Sequence, residues 1–263
     1  MKIAVSGKGG VGKTTLAACL ARYFAQKKYR VIAVDADPDT NLAAALGLNY
    51  KEASLITPLV EMKQLIEERT GAKSGQHGSF FKLNPKVDDI PQKFGVEIDG
   101  VRLLVAGTIK AGGSGCYCPE NVLLKRLLKH LVVERDEVII LDMEAGIEHL
   151  GRGTCENMDM LIVVIEPGLR SIQTAHAVKE MAKDLGIKSL YIVLNKIRSE
   201  EEKNLLAGSL TDFSILGELP YSEIVRESDL KNYSPCHSDS EFKSAIENIA
   251  LKIEDLSTGY SEI

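Results

Sequence analysis

An eight-residue segment near the start of the chain, Gly7 to Thr14, constrains the fold more than any other feature. It fits the pattern G-x-x-x-x-G-K-[ST], follows a short apolar run and precedes a helix-like pattern, which is the context that this phosphate loop requires. Its glycines let backbone N–H groups curl around a phosphate, and the helix N-terminus adds partial positive charge. The segment therefore predicts a strand–loop–helix unit that binds a nucleotide. The predicted contacts are Gly7, Lys8, Gly9, Gly10, Val11, Gly12, Lys13, Thr14 and Thr15.

Three side chains predict the chemistry at this loop. Lys13 is expected to reach the β- and γ-phosphates, and the Thr14 hydroxyl is expected to ligate Mg²⁺. Asp142 ends the apolar run 138–141, where a carboxylate can hold Mg²⁺ through water. The expected ligands are therefore ATP or ADP with Mg²⁺, and the expected reaction is ATP hydrolysis. A strand-ending aspartate without a ligand remains the alternative for Asp142.

Apolar runs alternate with helix-like segments along all 263 residues, and several runs are nearly continuous, as in strands buried on both faces. This alternation predicts a single α/β domain over residues 1–263, a P-loop NTPase fold with a mostly parallel twisted β-sheet and helices on both faces. Ligands of such sheets gather at the carboxyl ends of the strands. The predicted strands are Ile3–Ser6, Val31–Asp35, Arg102–Ala106, Val138–Asp142, Met160–Ile165, Leu190–Asn195 and Ile215–Glu218.

Residues 72–100 interrupt this rhythm. Gly, Pro, Ser, Lys and Asp are frequent there, and the apolar residues show little periodicity. Loops of this length are either functional or poorly ordered. We expect a long loop or a short hairpin insertion that covers one end of the sheet.

Composition narrows the range of partners. The chain has 32 basic and 37 acidic residues and a formal net charge of −5, which argues against nonspecific binding to nucleic acid or to anionic membranes. The longest aliphatic run, Leu161–Ile165, is far too short to span a bilayer. The phosphate loop begins at Gly7 and leaves no room before it for a signal peptide. We therefore expect a cytoplasmic protein whose five cysteines are core residues or metal ligands before they are disulfides.

A second informative segment places two cysteines, Cys116 and Cys118, before Pro119. Proline favours the first helical position, so Cys118 is predicted to be the N-cap of a helix whose positive end favours the metal-binding thiolate. Residues 107–118 are therefore a candidate metal loop. Two thiolates cannot complete a tetrahedral site such as that of Zn²⁺, but two copies of the loop across a two-fold axis would supply four. Two small buried thiols that pack a turn are the alternative.

The other candidate metal ligands carry weaker signals. Cys19 lies near the apolar face of the helix after the phosphate loop and is expected in the core, and Cys155 precedes a buried strand and is expected to be structural. Cys236 lies in a Ser/Pro-rich loop, where metal contact is possible but not expected. His149 is expected to have a polar coupling role in preference to metal ligation.

The loop sequence K-G-G-V-G-K-T-T at 8–15 resembles the deviant Walker A motif of the MinD/ParA/nitrogenase-iron-protein class of P-loop ATPases. In that class the extra lysine crosses a dimer interface, so the resemblance implies that Lys8 acts on the partner's nucleotide, as an arginine finger does elsewhere. It implies that Asp37, in D-A-D-P-D at 35–39, polarises the attacking water, with Asp39 as the alternative. Lys8, Lys13 and Asp37 are then the catalytic residues. The further nucleotide contacts that it implies are Gly146, Asn195, Lys196 and Pro220.

Longer strings narrow the resemblance to the CooC family of ATPases, which assist nickel insertion into carbon monoxide dehydrogenase. The most specific strings are C-Y-C-P-E-N at 116–121 and A-G-I-E-H-L-G-R-G at 145–153, and the likeness covers residues 1–225. The resemblance implies a homodimer that depends on nucleotide and metal, with Cys116 and Cys118 binding Ni²⁺ or Zn²⁺ at its interface. The implied client is carbon monoxide dehydrogenase or acetyl-CoA synthase, with neither nucleic acid nor membrane as a partner.

Three other functions remain open. A positioning ATPase of the MinD or ParA kind is one, although residues 247–263 lack the basic amphipathic pattern of a membrane-binding helix. An Fe–S electron donor of the nitrogenase-iron-protein type is disfavoured, because no cysteine stands near His149, where a second cluster ligand would be needed. An ATP-dependent carboxylate ligase of the dethiobiotin synthetase type shares the fold, but it needs neither Lys8 nor a C-x-C loop.

Overall fold

A mostly parallel sheet of eight strands forms the centre of the computed structural model, which describes residues 1–72, 81–107, 118–146, 152–231, 233–237 and 240–259. The strands are β1 (Lys2–Ser6), β2 (Val31–Asp35), β3 (Val96–Ile98), β4 (Val101–Val105), β5 (Val138–Asp142), β6 (Met160–Ile165), β7 (Leu190–Ile197) and β8 (Ser214–Pro220). Their order is β3-β4-β2-β5-β1-β6-β7-β8. β3 pairs antiparallel with β4, and the other pairs are parallel.

Helices cover both faces of this sheet. The α-helices are α1 (Lys13–Gln26), α2 (Leu42–Ala45), α3 (Tyr50–Ala53), α4 (Lys63–Thr70), α5 (Ile90–Phe94), α6 (Pro119–Val133), α7 (Arg152–Cys155), α8 (Leu169–Asp184), α9 (Glu200–Gly208), α10 (Glu223–Lys231) and α11 (Ser240–Gly259). Short 3₁₀ helices span Leu59–Glu61 and Pro235–His237. One core packs α4, α6 and α8 on one face of the sheet, and a second packs α1 and α11 on the other.

The central position of β1 explains where the site lies. β1 pairs with β5 on one side and β6 on the other, and Ile3 lies opposite both Ile140 and Met160. Because these strands run parallel, their carboxyl ends meet at one edge of the sheet. Ser6, Asp35 and Asp142, which end β1, β2 and β5, are therefore brought to the edge where α1 begins.

The predicted α/β fold is confirmed, and the seven predicted strands match observed strands to within two residues at either end. The strand that sequence reasoning missed is β3, which has three residues and lies at the edge of the sheet. It follows α5 and joins β4 through Asp99 and Gly100, both of which have positive φ. Residues 96–105 therefore form a tight hairpin whose second strand is β4.

The structure corrects the expectation that the cysteines are not disulfide-bonded. Cys19 of α1 is buried, as expected, but it is bonded to Cys236 of the second 3₁₀ helix, with their Cα atoms 5.1 Å apart. The segment before α11 folds back over α2, where the Ser234 hydroxyl donates a 2.9 Å hydrogen bond to Ala45 O. This packing brings together two cysteines that are 217 residues apart, and it gives Cys236 a sulfur partner where a metal contact was considered.

Candidate active site

The phosphate loop joins β1 to α1, and its glycines adopt backbone conformations that other residues rarely adopt. Gly10 and Gly12 have φ of 80° and 98°. A Cβ on Gly7 would lie 2.5 Å from Val164 O, and a Cβ on Gly12 would lie 2.3 Å from Asn195 Nδ2. The ends of β6 and β7 therefore approach the loop too closely for a side chain at these two positions.

A cavity of about 790 Å³ opens above this loop, within the usual size range of small-molecule sites. Its wall includes most of the predicted nucleotide contacts: Gly7, Lys8, Gly9, Gly10, Gly12, Lys13, Thr14, Thr15, Asp37, Gly146, Asn195, Lys196 and Pro220. Val11 differs, because its side chain is fully buried behind the loop and leaves only its backbone for a nucleotide. Tyr221 and Phe242 also line the cavity, and neither was singled out from the sequence.

Lys13 and Asp37 form a buried ion pair at the base of the cavity. The Lys13 ammonium lies 3.3 Å from a carboxylate oxygen of Asp37, and both side chains are at least nine-tenths buried. The backbone N–H of Asp39 donates a 3.0 Å hydrogen bond to the other oxygen of Asp37, whereas Asp39 itself is exposed. Asp37 is therefore the aspartate of the D-A-D-P-D string that the structure places against Lys13.

Asp35 organises the loop that carries Asp37, a role that sequence reasoning missed. One Asp35 oxygen accepts a 2.9 Å hydrogen bond from the N–H of Leu42, and the other accepts from the N–H of Asp37 at 3.3 Å. Asp35 is fully buried and lies directly opposite Asp142 in the β2–β5 register. Burial and the neighbouring Asp142 carboxylate raise the pKa of Asp35 to about 7.

Asp142 is a buried carboxylate whose oxygens are available to a cation. It is fully buried, and neither of its oxygens has a hydrogen-bond partner among the described residues. Burial raises its pKa to about 7, although the neighbouring Thr14 hydroxyl and Lys13 ammonium act in the opposite direction. Mg²⁺ is a hard cation that usually takes one or two carboxylates together with waters and nucleotide phosphates. Asp142 and Thr14 therefore fit the Mg²⁺ ligands predicted from the sequence.

The side chains of Asn195 and Lys196 hold the phosphate loop through hydrogen bonds to its backbone. The Asn195 amide nitrogen donates a 2.7 Å hydrogen bond to Val11 O, and the Lys196 ammonium donates one of 2.7 Å to Gly10 O. These contacts tie two consecutive carbonyls of the loop to the end of β7. Asn195 Oδ1 also accepts from the N–H of Lys196, so its amide keeps one N–H and one lone pair for a base.

Lys8 lies at the rim of the cavity with its side chain 40% exposed. Its ammonium is 4.0 Å from a carboxylate oxygen of Glu166, the residue that follows β6. The sequence analysis assigned no role to Glu166. No short-range pattern could have identified it, because it is 158 positions from Lys8 and the two approach only when β1 and β6 pair.

The candidate metal loop is described only at its two ends. Cys116, the rest of residues 108–117 and His149 lie outside the described residues. Cys118 is the N-cap of α6 and Pro119 is its first residue, as predicted, and Cys118 is half-buried. Burial raises the pKa of the Cys155 thiol to about 11, consistent with a structural role for that residue. The described part of the chain contains no group of three or more potential metal ligands.

The strand–loop–helix unit, the buried lysine and the strand-ending aspartate together define a P-loop nucleotide-binding protein. The chain belongs to the CobQ/CobB/MinD/ParA nucleotide binding domain family, whose model matches residues 2–235. With this membership and its phosphate loop, the chain is an ATPase. No helix in the described ranges is long and apolar enough to cross a membrane.

One of two similar relatives confirms the resemblance to CooC. The carbon monoxide dehydrogenase accessory protein CooC of Rhodospirillum rubrum is 47% identical over 229 residues, which are 87% of either chain. An uncharacterized ATP-binding protein of Methanocaldococcus jannaschii is 49% identical over 252 residues, 95% of this chain and 96% of that protein. MinD complexed with Mg-ADP from Pyrococcus horikoshii has a TM-score of 0.67 at 20% identity and covers 100% of this chain and 99% of its own, which shows the shared fold.

Proposed function

We propose that this protein is an ATP-dependent accessory factor that assists nickel insertion into carbon monoxide dehydrogenase or acetyl-CoA synthase. The observation that carries the proposal is the 47% identity to a carbon monoxide dehydrogenase accessory protein over 87% of both chains. Likeness at this level extends well beyond the phosphate loop, which many unrelated ATPases share. It therefore supports a common client, and not only a common fold.

The nucleotide chemistry follows from the charges in the cavity. A γ-phosphate is a stronger anion than a single carboxylate, so it would draw Lys13 away from Asp37, which now lies 3.3 Å from it. Asp37 would then be free to accept a hydrogen bond from the water that attacks the γ-phosphate. Asp142 and Thr14 would hold Mg²⁺, which supplies charge stabilisation to the phosphates.

Dimerisation is the second part of the proposal. Lys8 is exposed at the cavity rim, whereas Lys13 is buried at its base. The two lysines are therefore expected to have different roles. In a face-to-face homodimer, each Lys8 would contact the nucleotide of the partner subunit. ATP would then favour the closed dimer to the extent that it binds the closed state more tightly, and hydrolysis would release it.

The metal is the cargo of this cycle. The thiolate of Cys118 sits at the positive N-terminus of α6, which favours the ionised, metal-binding form. With Cys116 two residues earlier, two subunits would supply four thiolates for Ni²⁺ or Zn²⁺ at the two-fold axis. Closure and opening of the dimer would change how these sulfurs converge.

The experiment that tests the proposal measures metal content and oligomeric mass together. The protein is purified with no nucleotide, with ADP and with a non-hydrolysable ATP analogue, and is then supplied with Ni²⁺ or Zn²⁺. We expect about one bound ion per dimer. Cys116→Ser and Cys118→Ser should each abolish this binding. Cys155→Ala is the matched control, because it removes a buried thiol that stays protonated and should leave binding unchanged.

Metal binding that is retained in both serine variants would contradict the cargo site. A chain that stays monomeric with ATP and metal would contradict the dimer. The competing positioning function of the MinD or ParA kind predicts ATP-dependent sedimentation with liposomes or DNA. We expect neither, because the apolar face of α11, which includes Phe242, Ile246 and Ile253, is buried against the core and not displayed for a membrane.

A further inference from the structure

One carboxylate, that of Glu166, lies between two lysines beside the phosphate loop. One oxygen accepts a 2.7 Å hydrogen bond from the Lys196 ammonium, and the other lies 4.0 Å from the Lys8 ammonium. The Glu166 side chain is 25% exposed, and each lysine side chain is 40% exposed. Lys196 and Lys8 therefore share a single, partly shielded countercharge.

Lys196 fixes the position of that carboxylate relative to the loop. Its ammonium bonds Gly10 O at 2.7 Å as well as Glu166. Its backbone has φ of 59°, in the left-handed region that non-glycine residues rarely occupy. The hydrogen bond from its N–H to Asn195 Oδ1 holds this conformation. Lys196 thus ties Glu166 to Gly10 of the phosphate loop, two residues from Lys8.

The two lysines differ in how firmly Glu166 holds them. The contact with Lys196 has hydrogen-bond length, and it is supported by the second contact of Lys196 with the loop. The contact with Lys8 is at the outer limit of an ion pair. A weak, half-exposed ion pair is worth little energy and breaks when a stronger anion approaches. Glu166 therefore has a permanent partner in Lys196 and an exchangeable one in Lys8.

We propose that Glu166 is a positioning residue that retains Lys8 within its own subunit until a nucleotide-loaded partner subunit attracts it away. The inference rests on the proposed function, in which Lys8 contacts the partner's nucleotide. The triphosphate carries several negative charges, whereas Glu166 carries one that it shares with Lys196. Lys8 therefore moves to the partner's phosphates when ATP is bound, and returns to Glu166 when the dimer opens.

Zero-length carbodiimide crosslinking tests the contact directly. The reagent condenses a carboxylate with a nearby amine into an amide and is itself converted to a urea, so no other reactant is needed. A mixture of ¹⁴N- and ¹⁵N-labelled protein distinguishes links within a subunit from links between subunits by mass spectrometry. Without nucleotide, we expect Glu166–Lys8 and Glu166–Lys196 links within one subunit. With a non-hydrolysable ATP analogue, the Lys8 link should disappear and the Lys196 link should persist as an internal reference.

Charge removal gives the functional test. Glu166→Gln should lower the ATP concentration needed for half-maximal dimerisation by about two- to fivefold, the range of a partly exposed ion pair. Because the effect is electrostatic, it should shrink between about 50 mM and about 500 mM salt. Glu218→Gln is the matched control: Glu218 lies on β8 and pairs with Lys203 of α9 at 2.9 Å, so the variant removes the same charge from another ion pair and should leave dimerisation unchanged.

Affinity for ADP separates this role from simple support of the loop, because binding of ADP by one subunit does not involve the partner's nucleotide. It should stay within about twofold of the parent in Glu166→Gln, since the contact of Lys196 with Gly10 O remains. A parallel loss of ADP affinity, a Lys8 link that persists with ATP, or dimerisation unchanged in Glu166→Gln would each overturn the inference. If Glu166→Gln has no effect while Lys8→Ala abolishes dimerisation, the inference fails and the proposed function stands. If the parent never dimerises with ATP, both fail.

Discussion

Replacing Asp142 by asparagine should stabilise the nucleotide-free protein while it weakens the proposed Mg²⁺ site. Asp35 and Asp142 are two fully buried carboxyl groups that lie opposite each other on neighbouring strands. Lys13, whose charge favours the ionised form of Asp142, is paired with Asp37. Asn has almost the shape of Asp but carries no charge. The variant therefore removes an uncompensated buried charge and leaves the packing nearly unchanged.

The size of the effect follows from the pKa of Asp142. The folded value of about 7, against an ordinary value of 3.8, corresponds to about 4 kcal/mol of penalty for the charged form. Part of this penalty is shared with Asp35, whose pKa is also about 7, so we expect Asp142→Asn to raise the free energy of unfolding by about 2–4 kcal/mol. The sign depends on pH. Because the folded state binds the proton more tightly, the penalty is absent below about pH 4, grows up to about pH 7 and is constant above it.

Urea unfolding at two pH values is the assay. At about pH 8 the variant should be more stable by the full amount, and at about pH 5.5 the difference should fall to about half. Asp184→Asn, at an exposed position at the end of α8, is the control and should change stability by less than about 0.5 kcal/mol at either pH. Addition of Mg²⁺ and ADP should stabilise the parent more than the Asp142 variant. The reasoning is refuted if Asp142→Asn is no more stable than the parent at about pH 8.

Three further predictions concern the loop and the disulfide. Asn195→Ala leaves the Val11 carbonyl without its hydrogen bond and should cost about 1–3 kcal/mol in urea unfolding, with weaker ATP binding by calorimetry. Gly12→Ala places a Cβ 2.3 Å from Asn195 Nδ2 at a φ of 98°, so nucleotide binding should fall at least about tenfold while the far-UV spectrum is retained. Reduction of the Cys19–Cys236 bond should lower stability by about 2–4 kcal/mol, and Cys236→Ser should lose the same amount and then show no response to reductant; an equal response of parent and variant would contradict the assignment.

The fold was predictable because its signals are local. A buried parallel strand is a continuous apolar run, and the phosphate loop fixes one strand–helix junction by itself. The strand that was missed, β3, has three residues, and only Ile98 of these is buried. An edge strand of this kind lacks the apolar run that marks the others. Its pairing with β4 depends on the turn at Asp99 and Gly100 rather than on its own composition.

The site was predictable where one motif carries the chemistry, and not where distant strands meet. Lys13, Thr14 and Asp142 follow from patterns that name the residue and its role. No local pattern assigns a role to Glu166, because its contacts with Lys8 and Lys196 form only when the chain has folded. The Cys19–Cys236 disulfide is even harder to predict from local patterns, because 217 residues separate the two cysteines. The sequence analysis judged each cysteine from the residues next to it in the chain, and for Cys19 and Cys236 the bonded partner lies far from those residues.

The charged side chains of the nucleotide-free cavity indicate why nucleotide and Mg²⁺ should bind together. Lys13 is already paired with Asp37. A phosphate that binds Lys13 without a metal ion would break this pair and would then be repelled by the nearby Asp37 carboxylate. The same phosphate would approach the buried Asp142, whose carboxylate oxygens have no hydrogen-bond partner among the described residues. A divalent cation between the phosphates and Asp142 removes both repulsions, and each ligand then binds more tightly in the presence of the other. The buried carboxylates that destabilise the nucleotide-free protein would then favour a metal–nucleotide complex over the free nucleotide.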